Sequence, residues 1–289
     1  MQAIDSQYEI VKRLSAERNI RFGQCFLVKE IATGNLFVEK SVEKTNSIGL
    51  EQLKNESTFS FNINGLPEIL SILENDHEFS FRKKYVEGIT LTDFWKNVKR
   101  RKKVATLVNV IQGLEPLFIE LERQHIVHCD VKPENILIHE LDGKLHCSLI
   151  DFGLAFRRDE VPARKTLFQL AYAAPEIVLN RLTCADFSSD VFSFCLVSYK
   201  LLAGNLPFTS GNPALMTQLQ ITYPIEKPWK IKKKIWKILE KGLQKHNFKK
   251  SPNYYTNIEL ERFLVENNQK RFQNFSEFAR EFYPLFPEV

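Results

Sequence analysis

Two short motifs contain the side chains best suited to metal-assisted chemistry. Residues 128–135 read His-Cys-Asp-Val-Lys-Pro-Glu-Asn, and Asp151-Phe152-Gly153 begins after fifteen intervening residues. Carboxylate and amide oxygens are hard ligands that suit Mg²⁺, whereas thiols are not. Transfer of a phosphoryl group needs such ligands, because the protein must hold the metal and align the reactants and has little covalent work to do. The residue types of the two motifs therefore suit phosphoryl transfer.

These motifs resemble the catalytic and metal-binding loops of eukaryotic-type protein kinases. The resemblance implies that Asp130 accepts the proton of the substrate hydroxyl, and that Asn135 and Asp151 hold the metal. Lys132 occupies the position that contacts the γ-phosphate and marks Ser/Thr rather than Tyr specificity in that family. The catalytic residues implied are thus Asp130, Lys132 and Asn135. The implied cofactors are ATP and Mg²⁺, with Mn²⁺ as the alternative metal.

The N-terminal part looks like the nucleotide-binding half of that family. Residues 22–28, followed by a Thr-Gly turn and residues 37–40, resemble a phosphate loop that leads into the strand with the ATP lysine. Lys40 is then the phosphate-binding lysine, and Glu56, sixteen residues later, fits its partner on the following helix. Tyr85-Val86-Glu87-Gly88 resembles the hinge that pairs with adenine. The complete set of implied nucleotide-binding residues is Gly23, Cys25, Val38, Lys40, Glu56, Lys84, Tyr85, Val86, Leu137 and Asp151.

The glycine-rich loop departs from the family pattern. Counted back from Gly23, the first two glycines fall at Arg18 and Ile20, or near Ser15 and Glu17 if the loop carries an insertion. Glycine permits a positive φ and lets backbone N–H groups approach phosphates closely. Side chains at these positions predict a weaker nucleotide cradle.

Lys83 is a second departure, because it occupies the position before the hinge that is normally apolar or Thr. The alternation of Phe79, Phe81 and Lys83 places the lysine on the apolar face of its strand. An unpaired buried ammonium is costly. We therefore expect Lys83 to pair with Glu56 or Asp151, or else to point out along the pleat; the alternative is a different strand register.

The activation segment differs as well. Cys129 replaces the arginine with which a phosphorylated activation loop pairs in the resembled family. Phe168-Gln169 replaces the Gly-Thr that precedes Ala174-Pro175-Glu176, and the Gln169 amide is the candidate substitute for the lost hydroxyl. This pattern predicts catalysis that does not depend on phosphorylation of Thr166.

Two further residues resemble structural anchors of the family. Asp190 occupies a position that resembles the family's aspartate at the start of the helix that anchors the catalytic loop. Arg271 occupies a position that resembles the ion-pair partner of Glu176. Both are expected to be structural rather than catalytic.

Length and periodicity agree with an α+β, bilobal protein-kinase fold. A chain of 289 residues favours two lobes around a cleft over a single core. We expect a small antiparallel-sheet lobe over residues 1–86, which binds nucleotide, and a larger helical lobe over residues 87–289, which binds substrate. Apolar residues at three- and four-residue spacing from Val104 to Leu121 predict a long buried helix. The predicted strands are Tyr8–Leu14, Gln24–Glu30, Asn35–Ser41, Ile69–Glu74 and Phe79–Val86.

Composition limits the compartment. Five cysteines, with no C-x-x-C pair, indicate reduced thiols in a cytoplasmic compartment. The N-terminal residues do not form a basic-then-apolar segment, and no run of about 18 apolar residues occurs, so we expect neither a secretion signal nor a membrane span.

Charge bears on the partners. A net charge of +5 is mildly basic, and no nucleic-acid partner is expected. The expected partner is a protein substrate, with a preference for acidic segments because several cations flank Thr166 or the substrate region: Arg157, Arg158, Arg164, Lys165 and Lys200. Six of the eight residues from Lys96 to Lys103 are basic. This run is either a solvated helix end or an anionic docking patch. No particular oligomeric state is indicated.

The function predicted from these features is ATP- and Mg²⁺-dependent phosphorylation of Ser/Thr hydroxyls on protein. Two alternatives remain. A small-molecule phosphotransferase uses a similar metal loop, but Ala174-Pro175-Glu176 and Asp190 belong to a protein-substrate platform. A pseudokinase scaffold would explain the degraded glycine loop, although Lys40, Asp130, Asn135 and Asp151 are all retained.

Overall fold

The computed structural model describes residues 7–14, 23–162 and 170–285, and it contains two compact units. The first is drawn from Met1–Glu87 and Ser148–Leu154, and the second from Gly88–Cys147 and Ala155–Val289. The first contains a five-stranded antiparallel sheet and the second is mainly helical. The predicted α+β class is thereby confirmed.

The first unit is a sheet with one helix. The strand order is β1-β2-β3-β5-β4. Every neighbouring pair is antiparallel. The elements are β1 (Tyr8–Arg13), β2 (Gln24–Glu30), β3 (Leu36–Glu43), α1 (Ser47–Ser57), β4 (Ile69–Glu74) and β5 (Glu78–Lys84).

Strand pairing explains which of the predicted strand ends agree with the structure. The predicted ends of β2 and β4 match the structure. β3 runs on through Glu43, because that residue still pairs with Glu78 of β5. β5 ends at Lys84, which pairs with Phe37 near the start of β3, so the predicted extension to Val86 is wrong.

Helix α1 packs on one face of this sheet. The Asn46 side chain caps its N-terminus by accepting a 3.0 Å hydrogen bond from the Gly49 amide, which satisfies one of the free N–H groups of the first turn. The helix buries Leu53 in a cluster with three residues of β3 and β5: Val42, Phe79 and Phe81. Glu56 lies on the same buried side of the helix.

The second unit is built from helices, with short strands between them. Its elements are β6 (Ile89–Thr90), α2 (Leu91–Lys96), α3 (Lys103–Arg123), β7 (Ile126–Val127), β8 (Ile136–Leu141), β9 (Lys144–Leu149, whose last residues belong to the first unit), β10 (Phe156–Arg157), α4 (Pro175–Val178), α5 (Phe187–Ala203), α6 (Pro213–Thr222), α7 (Lys233–Gly242), α8 (Asn257–Asn268) and α9 (Phe275–Phe282).

Helices α3 and α5 form the core of this unit. The predicted apolar stripe of α3 is buried from Leu107 to Leu121, whereas Val104 at its start is half-buried. Phe118 stacks on Phe275 of α9 with ring centroids 4.3 Å apart. Helix α5 begins with a capping box formed by Asp186 and Ser189 and ends at Gly204, whose φ is +97°. Among the described residues one stretch, Arg100–Arg123, has the length and composition of a membrane span, but it contains the α3 stripe that packs inside the protein.

Candidate active site

Three charged side chains meet on the helix-facing side of the sheet. Lys40 in β3 and Lys83 in β5 lie on the same face, because Val38 pairs with Lys83 and Lys40 pairs with Phe81. Lys40 Nζ lies 2.6 Å from Glu56 Oε2, and Lys83 Nζ lies 2.7 Å from Glu56 Oε1. The Glu56 side chain is only 2% exposed and that of Lys83 only 7%. One buried carboxylate is therefore shared by two lysines.

The cluster keeps its phosphate-binding candidate charged. Burial lowers the pKa of Lys40, but the charges of Asp151 and Glu56 outweigh it and raise the pKa above its ordinary value. Of the partners expected for Lys83, the structure shows Glu56 and not Asp151. Cys25 pairs with Lys40 in the β2–β3 register, and burial raises the pKa of its thiol. Cys25 is therefore a neutral neighbour of the cluster.

The Asp151 loop is held by helix α1. Asp151 has a φ of +71°, a left-handed conformation that is uncommon outside glycine, and its Oδ1 lies 3.3 Å from Lys40 Nζ. Phe152 is fully buried, with its ring centroid 5.2 Å from that of Phe61. Asn55 Nδ2 donates to the carbonyl oxygens of Phe152 at 3.3 Å and Gly153 at 3.1 Å. Sequence reasoning missed Asn55, because no local pattern links it to residues almost a hundred positions away.

Gly23 has a structural reason to be glycine. Its φ is +94°, and a Cβ at this position would lie 2.5 Å from the Ser41 carbonyl oxygen. Close approach to β3 therefore requires glycine here even before any ligand is considered. Val38 is buried on the sheet face next to Lys40. The loop positions Ser15, Glu17, Arg18 and Ile20 lie outside the described residues.

The predicted catalytic residues form a compact cluster in the second unit. Lys132 Nζ lies 2.6 Å from Asp130 Oδ2. Asn135 Nδ2 donates 2.9 Å hydrogen bonds to the same oxygen and to the Asp130 carbonyl oxygen. Because both acceptors fix the amide group, Asn135 Oδ1 faces away from them, and it accepts no hydrogen bond from the described residues. The Asp130 carboxylate is thus oriented by two neighbours of different chemistry.

Helix α5 anchors this loop. Asp190 accepts hydrogen bonds from the backbone amides of His128 at 2.8 Å and Cys129 at 2.9 Å. Burial raises the pKa of Asp190 to about 7, against the lowering effect of these two amides. Cys129 is buried with a φ of +63°, and burial raises the pKa of its thiol well above the ordinary value. The predicted anchoring role of Asp190 agrees with these contacts.

A buried ion pair fixes the end of the activation segment. Arg271 Nη1 lies 2.7 Å from Glu176 Oε1, and Nη2 donates to Oε2 at 3.2 Å. Ser189 Oγ also donates to Glu176, at 2.6 Å. The expected pairing of Arg271 with Glu176 is confirmed, and the bidentate geometry is the stronger form of such a pair.

The predicted hinge residues follow the end of β5. The Lys84 amide donates to the Glu68 carbonyl oxygen at 3.0 Å, and the Lys84 side chain is exposed. Tyr85 and Val86 are half-buried and lie outside the β-ladder. In the second unit, half-buried Leu137 pairs with Thr90. Binding of nucleotide by these four residues stays a prediction.

Asp151 in the first unit and Asn135 in the second each offer an oxygen donor of the kind that Mg²⁺ prefers. No group of three or more His, Cys, Asp or Glu residues suited to a metal occurs in the part of the chain that the structure describes. Mg²⁺ differs from most metals in needing few protein ligands, because it is usually bound by one or two carboxylates together with substrate phosphates and water. A partly exposed Asp151 carboxylate and the Asn135 Oδ1 atom are hard oxygen donors of this kind.

The remaining sequence predictions concern the activation segment. Arg164, Lys165, Thr166 and Phe168-Gln169 lie outside the described residues. Lys200 is described: its Nζ donates a 2.7 Å hydrogen bond to Tyr172 and lies 3.9 Å from Glu134 Oε1. This contact brings a cation next to the catalytic loop.

Comparison with known proteins identifies the family. The family model for the protein kinase domain matches residues 21–278, so the chain belongs to the protein kinase family. It is similar to human myosin light chain kinase family member 4, with 28% identity over 201 residues, 67% of this chain and 50% of that protein. Serine/threonine-protein kinase cds1 of Schizosaccharomyces pombe is 27% identical over 245 residues, 77% of this chain and 50% of the relative.

A third relative is the Rattus norvegicus 3-phosphoinositide-dependent protein kinase 1. It is 26% identical over 234 residues, which cover 77% of this chain and 40% of that protein. The chain thus spans about half the length, or less, of these curated relatives. Family membership supports phosphotransfer to protein.

Proposed function

We propose that the chain is an active Ser/Thr protein kinase that transfers the γ-phosphate of Mg·ATP to hydroxyl groups of protein substrates. The observation that carries the proposal is the orientation of the Asp130 carboxylate. Its Oδ2 atom accepts hydrogen bonds from Lys132 Nζ at 2.6 Å and from Asn135 Nδ2 at 2.9 Å. Such an oriented carboxylate is what a general base for a hydroxyl group requires. Similarity to Ser/Thr kinases supports the substrate class.

In this proposal Asp130 orients the substrate hydroxyl and accepts its proton. Lys132, which already contacts Asp130, provides a cation for the phosphate that is being transferred. Asn135 fixes the Asp130 carboxylate through its amide nitrogen and leaves its amide oxygen for the metal. The three roles are compatible because they use different atoms of the cluster.

The first unit would hold the nucleotide. Lys40 provides the cation for the phosphates, and Glu56 holds Lys40 in place at 2.6 Å. Asp151 supplies the second oxygen ligand for Mg²⁺ or Mn²⁺. Gly23, Cys25, Val38, Lys84 at the end of β5 and the hinge residues Tyr85 and Val86 are the other proposed nucleotide-binding residues of the first unit. Leu137 is the proposed nucleotide-binding residue of the second unit. When bound, Mg·ATP supplies the phosphoryl group and the charge neutralisation that in-line transfer needs.

The charge around the substrate region favours acidic substrates. Lys200 lies within reach of Glu134 and Tyr172, where it adds a positive charge next to the catalytic loop. Complementary charge steers the encounter with a substrate, whereas like charge repels it. We also place the chain in the cytoplasm, in keeping with its five cysteines, all of which are free thiols.

The proposal is tested by transfer from γ-labelled ATP to generic protein substrates in Mg²⁺ or Mn²⁺, with the phosphorylated amino acid identified afterwards. Asp130→Asn should lower the rate by about 10²–10⁴ while Mg·ATP still raises the melting temperature. Asp142→Asn is the matched control, because Asp142 is an exposed aspartate in the turn between β8 and β9, outside the catalytic loop. It should keep the wild-type rate.

Two outcomes would contradict the proposal. A well-folded wild type without transfer, even with Mn²⁺ and high ATP, would indicate a pseudokinase scaffold. Transfer to free small-molecule alcohols but not to protein would indicate a small-molecule phosphotransferase. Either result leaves the family assignment unchanged.

A further inference from the structure

A cavity of about 450 Å³ lies in the helical unit, away from the catalytic loop in sequence. It is bounded by the residues that lead into α3, by the C-terminal end of α5 and by the segment that leads into α7. We call it the basic cavity, because four cations line it: Arg100, Lys103, Lys230 and Lys232. No acidic residue in the described part of the chain lines it. Two basic stretches that are far apart in sequence therefore converge at one place.

The four cations are not balanced by carboxylates. Among the described residues none of the four forms an ion pair. Lys230 has a structural role, because it donates a 2.8 Å hydrogen bond to the Ala203 carbonyl oxygen at the end of α5. Lys103 lies over the Trp95 ring, 5.8 Å from its centroid. Arg100 and Lys232 are exposed and have no such contact with any described residue.

Stability of the fold does not account for Arg100 and Lys232. Lys232 is the N-cap residue of α7 and makes no capping hydrogen bond with the described residues, and the first turn of that helix contains no acidic residue. Cations at a helix N-terminus are disfavoured by the helix dipole, and like charges around one cavity repel. An anionic ligand would relieve both costs.

The floor and rim of the basic cavity differ in chemistry. Ile231 and Ile235 are buried and, with Val104, give it an apolar floor. Trp229 stands at the rim with 80% of its surface exposed, whereas Trp95 and Trp236 are 8% and 7% exposed. Tryptophan and arginine are enriched among the residues that contribute most to binding at protein interfaces. The combination suits an apolar side chain flanked by acidic groups.

We propose that the basic cavity binds an acidic peptide segment of a partner protein, with one apolar side chain on the floor and carboxylates against Arg100 and Lys232. A protein segment fits better than single-stranded nucleic acid, which needs a groove along several phosphates and several aromatic rings for stacked bases. Trp229 is the one aromatic residue among the described residues that line the cavity. The binding does not depend on phosphotransfer.

Trp229 provides the measurement. A synthetic peptide with a single leucine among aspartates and glutamates should change the tryptophan emission of the full chain saturably, and should also bind by fluorescence anisotropy when labelled. The same peptide with alanine in place of leucine should bind more weakly, and one with lysines in place of its acids should not bind. Trp229→Phe should remove the emission change while anisotropy still detects binding.

Charge reversal locates the site. Arg100→Glu/Lys232→Glu should weaken the peptide at least about tenfold, because like charge replaces complementary charge. Lys99→Glu/Lys237→Glu makes the same change in net charge at exposed lysines outside the cavity, so it should leave affinity within about twofold. If the reversed double variant unfolds, Arg100→Gln/Lys232→Gln replaces it and should lose a smaller but measurable part of the affinity.

Three results would overturn the inference. The first is no saturable binding of the acidic peptide to the wild type. The second is an equal loss in the control pair, which would show general charge attraction. The third is that a single-stranded oligonucleotide of equal charge binds more tightly and displaces the peptide, which would make the cavity a nucleic-acid site.

Discussion

Lys83 donates a 2.7 Å hydrogen bond to Glu56 Oε1, and both side chains are buried. Lys40 contacts the other oxygen, Glu56 Oε2, at 2.6 Å. Glu56 is consequently held by two elements of the sheet, and its position does not depend on Lys40 alone. The position before the hinge is normally apolar or Thr, so a lysine there is unexpected. Its charge is balanced by Glu56, the same carboxylate that pairs with Lys40.

The first prediction concerns this ion pair. Lys83→Met removes one of the two lysines that contact Glu56 and leaves Lys40 in place. Because Glu56 keeps one cationic partner, we expect the free energy of unfolding to fall by up to about 3 kcal/mol, the lower limit of the usual cost of breaking a buried ion pair. Denaturant unfolding measures it. In Lys83→Met/Glu56→Gln the two losses should not add, because the residues are in contact. Additive losses, or a wild-type-like Lys83→Met, would show that the pair does not stabilise the unit.

The family resemblance predicted the pairing of Lys40 with Glu56, and local sequence cues predicted the place of Lys83. Alternation along β5 placed Lys83 on the apolar face, and the cost of an unpaired ammonium left either an acidic partner or an outward orientation as the expected outcomes. The ends of β2 and β4 also followed from local pattern. The end of β5 did not, since it depends on where β3 stops pairing.

Contacts between distant segments were not predictable in this way. Asn55 holds the carbonyl groups of residues 152 and 153, almost a hundred positions away, and no periodicity in the sequence encodes that distance. The basic cavity shows the same limit. The charge run at 96–103 is visible in the sequence, but its convergence with residues 229–232 is a tertiary feature.

The second prediction concerns inhibitors. An ammonium on the nucleotide-site face should exclude ATP-competitive compounds that extend an apolar group past the hinge, because an apolar group cannot replace the hydrogen bond to Glu56. Lys83→Thr or Lys83→Ala should restore their binding, measured by competition with a fluorescent nucleotide. Compounds without the extension are the control and should bind all three proteins alike. Tight binding of extended compounds to the wild type would refute the assignment of Lys83 to this position.

The third prediction tests why residue 23 is glycine. Gly23→Ala should destabilise the chain by about 1–3 kcal/mol, through the positive φ and the approach of the new Cβ to Ser41. Gly143→Ala separates the two causes, because Gly143 has a φ of +73° but no described atom within 4 Å of the point that a Cβ would occupy. It should cost about 1 kcal/mol in thermal or denaturant unfolding. Equal losses in the two variants would leave strain in φ as the sole reason.

The fourth prediction concerns activation. Cys129 is buried, with a neutral thiol, at the position where a kinase that depends on loop phosphorylation has arginine. Without that cation a phosphate on Thr166 has lost its usual partner. Thr166→Ala should therefore keep most of the activity. A loss of more than about tenfold, or roughly 1.4 kcal/mol in the barrier, in a folded variant would contradict this idea.

The last prediction concerns substrate charge, and it rests on Lys200. This lysine lies 2.7 Å from the Tyr172 hydroxyl and 3.9 Å from Glu134, so its charge acts close to the catalytic loop. Wild type should phosphorylate acidic peptides with a higher kcat/KM than arginine-rich ones, and Lys200→Glu should reduce or reverse this preference by weakening complementary charge. Lys144→Glu, an exposed lysine at the start of β9, is the control for net charge and should leave the preference unchanged. A peptide array in which wild type prefers arginine near the phosphorylated residue would exclude the acidic-substrate proposal.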